Sequence, residues 1–337
     1  MAMDEKIDFV ITWVDNGDPK WRKEFEYYSA KEGRTVDKSP VRYRDWGALR
    51  YWFRGVEKFS PWVNKIIFVT YGHLPEWLNT ANPKLVIVKH EDFIPAEYLP
   101  TFNTNVIEFF FHKIKGLSDA FVYFNDDMFL INSVSPDRFF RNGLPCDIGG
   151  LSVISSTSPG IFDCSVFLAT ALVNKYFRKR DSIRNNLSKW YSPACMKVSI
   201  SNFIYFHRLN KFPGFRMNHL PNGYLKQTYD AVWNSCEDDL RRTFKNKFRS
   251  YGDVAPWLIR YWQLASGHFS PYNILKDGKY YAISDNNIIE ISECIIHQKK
   301  KLICLNDTPI LMDFDKNKKR ILDAFDVILP DKCSFEL

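Results

Sequence analysis

The segment 101–130 constrains the fold more than any other part of the chain, because a helical pattern leads there into a buried strand. Apolar residues recur at helical spacing from Asn105 to Leu117, which predicts a helix with Thr104 or Asn105 as its N-cap. Ala120 to Phe124 is a short apolar and aromatic run, typical of a strand that is buried on both faces. A helix that feeds such a strand predicts an α/β fold.

Polar side chains follow this strand directly at Asn125, Asp126 and Asp127. Open α/β sheets bind ligands at the carboxyl ends of their strands, so these residues are candidates for a site. Glu108 and His112 are four residues apart, and on a continuous helix they share one face. The segment can therefore direct all five side chains toward one point. A solvated turn is the alternative explanation, and the apolar strand in front of the acids weakens it.

Other apolar runs predict further strands at Ile7–Val14, Lys65–Thr70, Leu85–Val88 and Lys301–Leu305. The first ends in a polar turn with Asp15 and Asn16, and the last ends at Asn306 and Asp307. Strand and helix patterns alternate through to the Asn-Asp-Asp turn, which predicts a mostly parallel, doubly wound sheet. We also expect a loop over 24–39, a short helix over Pro75–Leu78 and a terminal helix over Ile321–Leu329.

Arginines are dense just before and within a helical pattern near the first strands, at Arg42, Arg44, Arg50 and Arg54. Arginines beside a nucleotide site can hold phosphates with two hydrogen bonds each. A solvated helix face is the alternative for each of them. The turn after the first strand contains neither a GxGxxG motif nor a P-loop, so it matches neither of those phosphate-binding loops.

Charge and cysteine usage limit the partners and the compartment. The net charge is +7, from 46 basic and 39 acidic residues, which suits a phosphate-bearing ligand or an anionic membrane surface. The chain has no basic block with interleaved aromatics, so we expect no nucleic-acid partner. Seven scattered cysteines without a CxxC pair indicate reduced thiols in the cytoplasm. Without an apolar run of membrane-spanning length, we expect at most peripheral contact with the membrane.

After Pro145 the composition changes, and the region 148–215 has a mainly helical pattern. We expect residues 1–147 and 216–337 to form one catalytic domain, with 148–215 as a helical insertion that carries acceptor contacts. His219 follows the insertion beside a turn defined by Pro221. This position favours a functional histidine, although a structural histidine is an equally good explanation.

Four blocks of the sequence resemble the Stealth family, the sugar-1-phosphate transferases of bacterial capsule synthesis. Relatives of that family include the catalytic core of the Golgi enzyme that builds the mannose 6-phosphate tag on lysosomal proteins. The similar blocks are IDFVITWVDNGDPKW from Ile7, the long run from Arg42 to Leu130, the run from HLPNGY at His219 to FKNKFR at Arg249, and KLICLND from Lys301.

The resemblance implies a Rossmann-like α/β domain of the nucleotide-sugar-transferase type with a mostly parallel sheet. It implies transfer of a hexose 1-phosphate, often N-acetylhexosamine 1-phosphate, from a UDP-sugar donor to a hydroxyl of an oligo- or polysaccharide acceptor. The products would be a phosphodiester and UMP. The residues that correspond to the family's active site are Glu108, Asp127, His219 and Arg249.

The chemistry of phosphoryl transfer suggests a role for each candidate residue. Mg²⁺ or Mn²⁺ would suit hard oxygen ligands, for which we select Asp126, Asp127, Asn306 and Asp307. His219 is the first choice for the general base, with Glu108 or Asp126 in reserve. The substrate-binding candidates are Thr12, Asp15, Asn16, Arg42, Arg44, Arg50, His112 and Asn125.

The sequence is compatible with two other functions, and it is also compatible with a homo-oligomer. An ordinary glycosyltransferase would use the same kind of donor site but would release UDP. A noncatalytic protein that binds nucleotide sugars or glycans would not need acids at two strand ends together with His219 and Arg249.

Overall fold

The structure is a computed structural model that describes residues 6–33, 44–156, 160–309 and 311–337. Its strands are β1 (Ile7–Trp13), β2 (Ile66–Thr70), β3 (Leu85–Lys89), β4 (Ala120–Phe124), β5 (Met128–Leu130), β6 (Phe140–Arg141), β7 (Leu144–Asp147), β8 (Asn222–Leu225), β9 (Ser270–Pro271), β10 (Gly278–Ala282) and β11 (Leu302–Asn306). Its α-helices are α1 (Pro19–Lys31), α2 (Leu49–Phe59), α3 (Thr104–Phe109), α4 (Ile161–Tyr176), α5 (Lys179–Arg184), α6 (Leu187–Trp190), α7 (Met196–Arg208), α8 (Lys226–Phe244), α9 (Trp257–Ser266), α10 (Ile288–Ile296) and α11 (Phe314–Ile328).

The main sheet has the strand order β3-β2-β1-β4-β8. Strands β1 to β4 run parallel, and β8 is an antiparallel strand at the edge. All residues of β2 and β4 are buried, as expected for strands that are covered on both faces. The order 3-2-1-4 is that of a Rossmann half, so the predicted mostly parallel α/β fold is confirmed.

The chain leaves the main sheet at the Asn125–Asp127 turn and enters another sheet, of order β10-β11-β5. Strand β5 begins at Met128, directly after the turn, and pairs antiparallel with β11. The turn is tied to β11 because the Leu305 amide donates to the Asp127 carbonyl at 2.8 Å. The predicted acids therefore lie at a junction between two sheets.

Apolar side chains cover the main sheet on both faces. From β1, Phe9 and Ile11 pack into a core with α2, α10 and α11, whereas Val10 packs into a second core with α3, α8 and α9. This alternation follows from the two-residue period of a strand. Each residue of the central strand is thereby fixed to one face.

A buried ion pair joins α9 to β7. Arg260 donates from Nε and Nη2 to the two carboxylate oxygens of Asp147, at 2.6 and 2.7 Å. Neither residue is more than 4% exposed, and Asp147 also accepts the Ile148 amide at 2.6 Å. The bidentate geometry compensates the charge of both groups where water is excluded.

Helix α3 is shorter than the predicted helix over Asn105–Leu117. It begins at Thr104, its N-cap is Asn103, and it ends at Phe109, followed by a 3-10 helix over Phe111–Lys113. Three consecutive aromatic side chains, at positions 109–111, are all buried. The chain passes from α-helical to 3-10 geometry between Phe109 and Phe111.

Two other local predictions are wrong. The predicted helix over Pro75–Leu78 is a turn, whose Leu78 bridges to Glu336 near the C-terminus. Within the segment predicted as a loop over 24–39, α1 continues to Lys31, because Trp21 and Phe25 stack on each other and pack beside Phe102. The remainder of that predicted loop from residue 34 lies outside the described residues.

The predicted region 148–215 contains helices α4 to α7. Helix α4 packs against α9, so this region contacts the following part of the chain closely. That the region 148–215 forms a separate insertion remains a prediction. In the part of the chain that the structure describes, no helix combines the length and the apolar character needed to cross a membrane.

Candidate active site

The Asp127 carboxylate is the centre of a polar group at the junction of the two sheets. Its Oδ2 lies 3.5 Å from Nε2 of His219 and accepts a hydrogen bond from the Cys304 thiol at 3.3 Å. The side-chain amide of Asn125 lies 3.4 Å from the same imidazole nitrogen. Asp127 Oδ1 is buried and has no hydrogen-bond partner among the described residues. One carboxylate oxygen thus orients neighbouring side chains, while the other is buried without a hydrogen-bond partner among the described residues.

His219 is placed by the short connection that enters β8. Burial disfavours its charged imidazolium form, but the contact with Asp127 and the nearby charge of Glu108 outweigh burial and raise the pKa of His219. The raised pKa makes the neutral imidazole a stronger base. An imidazole beside a carboxylate can accept a proton from a hydroxyl and keep the resulting charge stabilised.

Glu108, on α3, also belongs to the polar group around Asp127 and His219. Burial raises the pKa of Glu108 to about 7, against the opposing effects of Arg249, His219 and a hydrogen bond from Tyr123. The Tyr123 hydroxyl also lies 3.1 Å from Oγ1 of Thr12. A polar chain therefore connects β1, β4 and α3, and Thr12 belongs to it through Tyr123.

Arg249 holds the beginning of α3, because its guanidinium donates to the hydroxyl of Thr104 from Nε and Nη2. Its positive charge lowers the pKa of both Glu108 and His219, so all three lie within electrostatic range. The structure thus brings together Glu108, Asp127, His219 and Arg249. Their catalytic roles remain predictions.

Asp307, a predicted metal ligand, is paired with a different part of the chain. Arg44 donates to both of its carboxylate oxygens, and Trp46 Nε1 donates to Oδ2 at 3.1 Å. Asn306 donates to the Asp307 carbonyl at 3.0 Å. Among the described residues, a cluster suited to a metal comprises Asp127, His219 and Cys304, and it does not include Asp307. Metal binding by Asp307 would require the Arg44 pair to open.

The turn after β1 lies at the same sheet edge as the Asn125–Asp127 turn, because Trp13 is in register with Thr70 and Ile11 with Phe124. The backbone amide of Asp15 donates to Nε2 of His73 at 2.8 Å.

His73 was not among the predicted site residues, although it follows the second strand as the acids follow the fourth. Its pKa is lowered by burial, which keeps the ring neutral as the acceptor of the Asp15 amide. In the same turn, Asn16 accepts a hydrogen bond from Arg22 on its carbonyl.

His112 does not share a face with Glu108, and that prediction is wrong. The α-helix ends between the two residues, so the spacing of four no longer aligns them. The His112 ring packs instead against Tyr229 and Trp233, with centroids 5.3 and 5.2 Å away. Burial lowers the pKa of His112 to about 3, so the ring is neutral and part of an aromatic core.

Arg44 and Arg50, two of the predicted phosphate-binding arginines, have different partners. Arg50 lies on the exposed face of α2 with its guanidinium over the Trp77 ring at 5.2 Å. It lines a polar cleft of about 510 Å³ together with Tyr51 and Asp326. Arg42 lies outside the described residues.

Asp126 is exposed beside Asp127 and remains available as an oxygen ligand. Cys304 is a site residue that the sequence does not predict, because a thiol inside an apolar strand gives no local sign of its contact with Asp127.

Comparison with known proteins reveals two matches to family models. The model for conserved region 1 of Stealth proteins matches residues 5–33, and the model for conserved region 2 matches residues 42–146. A capsular polysaccharide phosphotransferase, WcwK of Streptococcus pneumoniae, is 43% identical over 98% of each chain. The receptor polysaccharide phosphotransferase WefC of Streptococcus oralis is 38% identical over 98% of this chain and 99% of that one.

A relative from another genus is similar in sequence, and a solved glycosyltransferase is weakly similar in structure. The exopolysaccharide phosphotransferase cps2G of Lactiplantibacillus plantarum is 35% identical over 98% of this chain and 96% of that one. The galactosyltransferase LgtC, solved with donor and acceptor sugar analogues, has a TM-score of 0.41 at 10% identity and covers 95% of this chain and 96% of that one. That structural likeness is too low to support an argument about chemistry.

Proposed function

The chain belongs to the Stealth family and is a phosphotransferase, and from that premise we propose that it transfers a hexose 1-phosphate from a UDP-sugar to a glycan hydroxyl. The reaction forms a phosphodiester and releases UMP, in the synthesis of a capsular or other cell-surface polysaccharide. N-acetylhexosamine 1-phosphate is the group we expect first. The acceptor is an oligo- or polysaccharide.

The observation that carries this proposal is the pairing of His219 with Asp127 beside Glu108 and Arg249. Phosphoryl transfer depends on positioning and on neutralising charge more than on covalent catalysis. A base, an orienting carboxylate and a guanidinium within one group supply these requirements. Asp127 follows β4, and the carboxyl ends of the strands are where a sheet of this topology binds nucleotides.

In the proposed mechanism, Nδ1 of His219, the ring nitrogen that does not face Asp127, accepts the proton of the acceptor hydroxyl, while Asp127 beside Nε2 stabilises the imidazolium that forms. The acceptor oxygen forms a bond to the sugar-proximal phosphorus. The bond from that phosphorus to the bridging oxygen breaks, and UMP leaves with the electron pair. Arg249 offsets the charge on the oxygens of the transferred phosphate. The turn with Asp15 and Asn16 is the proposed position of the uridine.

A divalent cation fits the oxygen atoms at the β4 end. The buried and unpartnered Oδ1 of Asp127, the exposed carboxylate of Asp126 and the amide oxygen of Asn125 are hard ligands of the kind that Mg²⁺ or Mn²⁺ prefers. When bound there, the cation would neutralise negative charge on the phosphates. Burial raises the pKa of the Cys304 thiol well above its usual range, so the protonated thiol donates a hydrogen bond to Asp127.

Replacing His219 with alanine is expected to lower kcat for transfer by about 10²- to 10⁴-fold, the usual contribution of a general base. Steady-state kinetics with a UDP-sugar and acceptor measure the effect, and circular dichroism checks that the fold is retained. His268→Ala is the control, because His268 is an exposed histidine that contacts Ser266 outside the group. Full activity of the His219→Ala variant would contradict the base assignment.

Glu108→Gln is expected to shift the acidic limb of the pH profile of kcat/KM to lower pH. The negative charge of Glu108 helps to raise the pKa of His219, so its loss lets the imidazole become neutral at a lower pH. Because the base works in its neutral form, activity then persists further into acid. Glu97→Gln, at an exposed position, should leave the limb in place. A limb that stays fixed or moves upward in Glu108→Gln would refute the coupling.

Identification of the released nucleotide tests the proposed reaction. The protein is incubated with UDP-GlcNAc, UDP-GalNAc, UDP-Glc or UDP-Gal, with Mg²⁺ and capsular oligosaccharides, and the nucleotide is separated by chromatography. UMP together with a phosphodiester signal in phosphorus NMR supports the proposal and identifies the donor. UDP would indicate a glycosyltransferase. Calorimetry that shows tight binding of the UDP-sugar without turnover would indicate a binding protein.

The remaining parts of the proposal concern the acceptor and the location. We propose that the region 148–215 contributes contacts to the acceptor glycan and that the protein works in the cytoplasm, with at most a peripheral contact at the inner face of the bacterial membrane. A homo-oligomer is compatible with this arrangement. Exchange of 148–215 between related chains should change the acceptor that is used and leave the donor unchanged.

A further inference from the structure

Helix α7 presents apolar side chains to solvent on one side. Met196, Ile200, Phe203 and Ile204 are 70%, 65%, 58% and 52% exposed. Their spacing of four, three and one residues places them on a single face of the helix. We refer to these four side chains as the α7 stripe.

The orientation of the stripe is fixed by a polar residue on the opposite face. The buried side chain of Asn202 accepts the Leu151 amide and donates to the carbonyls of Gly149 and Trp190, each at 2.8 Å. Val198, on the same inner face, packs with Cys195 in a small core. A rotation that buried the stripe would break all three hydrogen bonds and leave buried groups without partners.

The stretch of chain that contains α7 is strongly basic. Residues 161–217 contain ten lysines and arginines and two aspartates, which gives this region a charge of +8. Since the whole chain carries +7, the remainder carries −1. All of the excess positive charge therefore lies in the region that carries α7. Lys197 and Arg208 are exposed on α7 itself, and Lys211 is exposed just after it.

We propose that the α7 stripe and its basic surroundings form a docking surface for an anionic phospholipid membrane. An interfacial helix places apolar side chains at the boundary between headgroups and acyl chains, while its lysines and arginines bind the anionic headgroups. The stripe supplies the first part of that pattern, and Lys197 and Arg208 supply the second. The inference does not depend on the transfer reaction.

Charge favours a membrane over a second copy of this chain as the occupant. Two copies that met through the α7 stripe would bring two regions of charge +8 together, and like charges at a contact are unfavourable. An anionic membrane surface attracts the same region, and this attraction weakens as salt is added. The apolar and the electrostatic features therefore indicate the same partner.

Vesicle sedimentation with the full chain tests this surface. The wild type is expected to sediment with phosphatidylglycerol vesicles, to bind phosphatidylcholine vesicles much less, and to be released by salt. The double variant Ile200→Ser/Phe203→Ser should lose at least about tenfold in partition coefficient, because two inserted side chains are removed. Lys197→Glu/Arg208→Glu should lose binding and its salt dependence.

The control is Val327→Ser, at an apolar position on α11 that is 60% exposed and should leave vesicle binding unchanged. The urea midpoint of each variant shows whether the fold is retained. Absence of wild-type binding to phosphatidylglycerol, or equal binding by wild type and both double variants, would overturn the proposal. Ultracentrifugation that detects a dimer, lost in Ile200→Ser/Phe203→Ser without any vesicle binding by the wild type, would assign the stripe to a second copy.

Discussion

Asp127→Asn is expected to lower kcat/KM for transfer by about three orders of magnitude, the scale on which removal of a key electrostatic group acts. The carboxylate has two functions in the proposed mechanism. Its Oδ2 contacts His219 and accepts a hydrogen bond from the Cys304 thiol, and its Oδ1, which is buried without a hydrogen-bond partner among the described residues, is the oxygen that we assign to the cation. An amide of the same shape cannot stabilise the imidazolium and is a weaker ligand for Mg²⁺ or Mn²⁺.

Two measurements separate these functions. Steady-state kinetics report the loss of transfer, and calorimetry with Mn²⁺ and the protein alone reports the loss of cation binding. Asp323→Asn, at an exposed aspartate that pairs with Lys319 on α11, is the matched control and should change neither result. An Asp127→Asn variant with wild-type turnover would remove this carboxylate from the mechanism. Unchanged Mn²⁺ binding with lost turnover would place the cation elsewhere.

The sequence predicts the main sheet and its functional edge well, because both depend on local patterns. Strand β4 begins and ends where its apolar run predicts, and the polar residues after it lie at the carboxyl edge of the sheet. The pairing of Asp127 with His219 could not be derived from spacing, since the two residues are 92 positions apart in the chain. Only the family resemblance suggested that they belong to one site.

The predictions that fail are those that assume a regular helix or an isolated side chain. Glu108 and His112 would share a face on a continuous helix, but α3 ends at Phe109, between the two residues. Asp307 follows a strand as predicted, but Arg44 takes both of its carboxylate oxygens. Such a partner, far away in sequence, cannot be identified from local composition.

The residues that sequence reasoning missed illustrate the same limit. His73 follows β2 at the same sheet edge, and the rule that was applied to the acids would have selected it. Cys304 lies within a strand, and its contact with Asp127 arises only because β11 belongs to the sheet that the turn enters. The first residue could have been predicted from local pattern, whereas the second required the order of the strands.

Arg260→Met is expected to lower the free energy of unfolding by about 3–5 kcal/mol, the cost of breaking a buried ion pair from one side. Arg260 is fully buried and binds both carboxylate oxygens of Asp147. Methionine fills a similar volume and leaves the carboxylate buried without its counter-ion. Urea unfolding followed by tryptophan fluorescence measures the loss. Arg241→Met is the control, since Arg241 pairs with Glu237 on the exposed face of α8, where ion pairs contribute about 0.2–1 kcal/mol.

The double variant Arg260→Met/Asp147→Leu distinguishes an unpaired charge from lost packing. If most of the cost comes from the isolated carboxylate, removing that carboxylate as well should restore much of the stability, because apolar replacements of buried ion pairs are often close to neutral. Recovery should be incomplete, since Asp147 also accepts the Ile148 amide at 2.6 Å, and a hydrogen bond of this kind contributes about 1 kcal/mol. A double variant as unstable as Arg260→Met would instead show that the arginine acts through its packing over the Trp257 and Tyr261 rings.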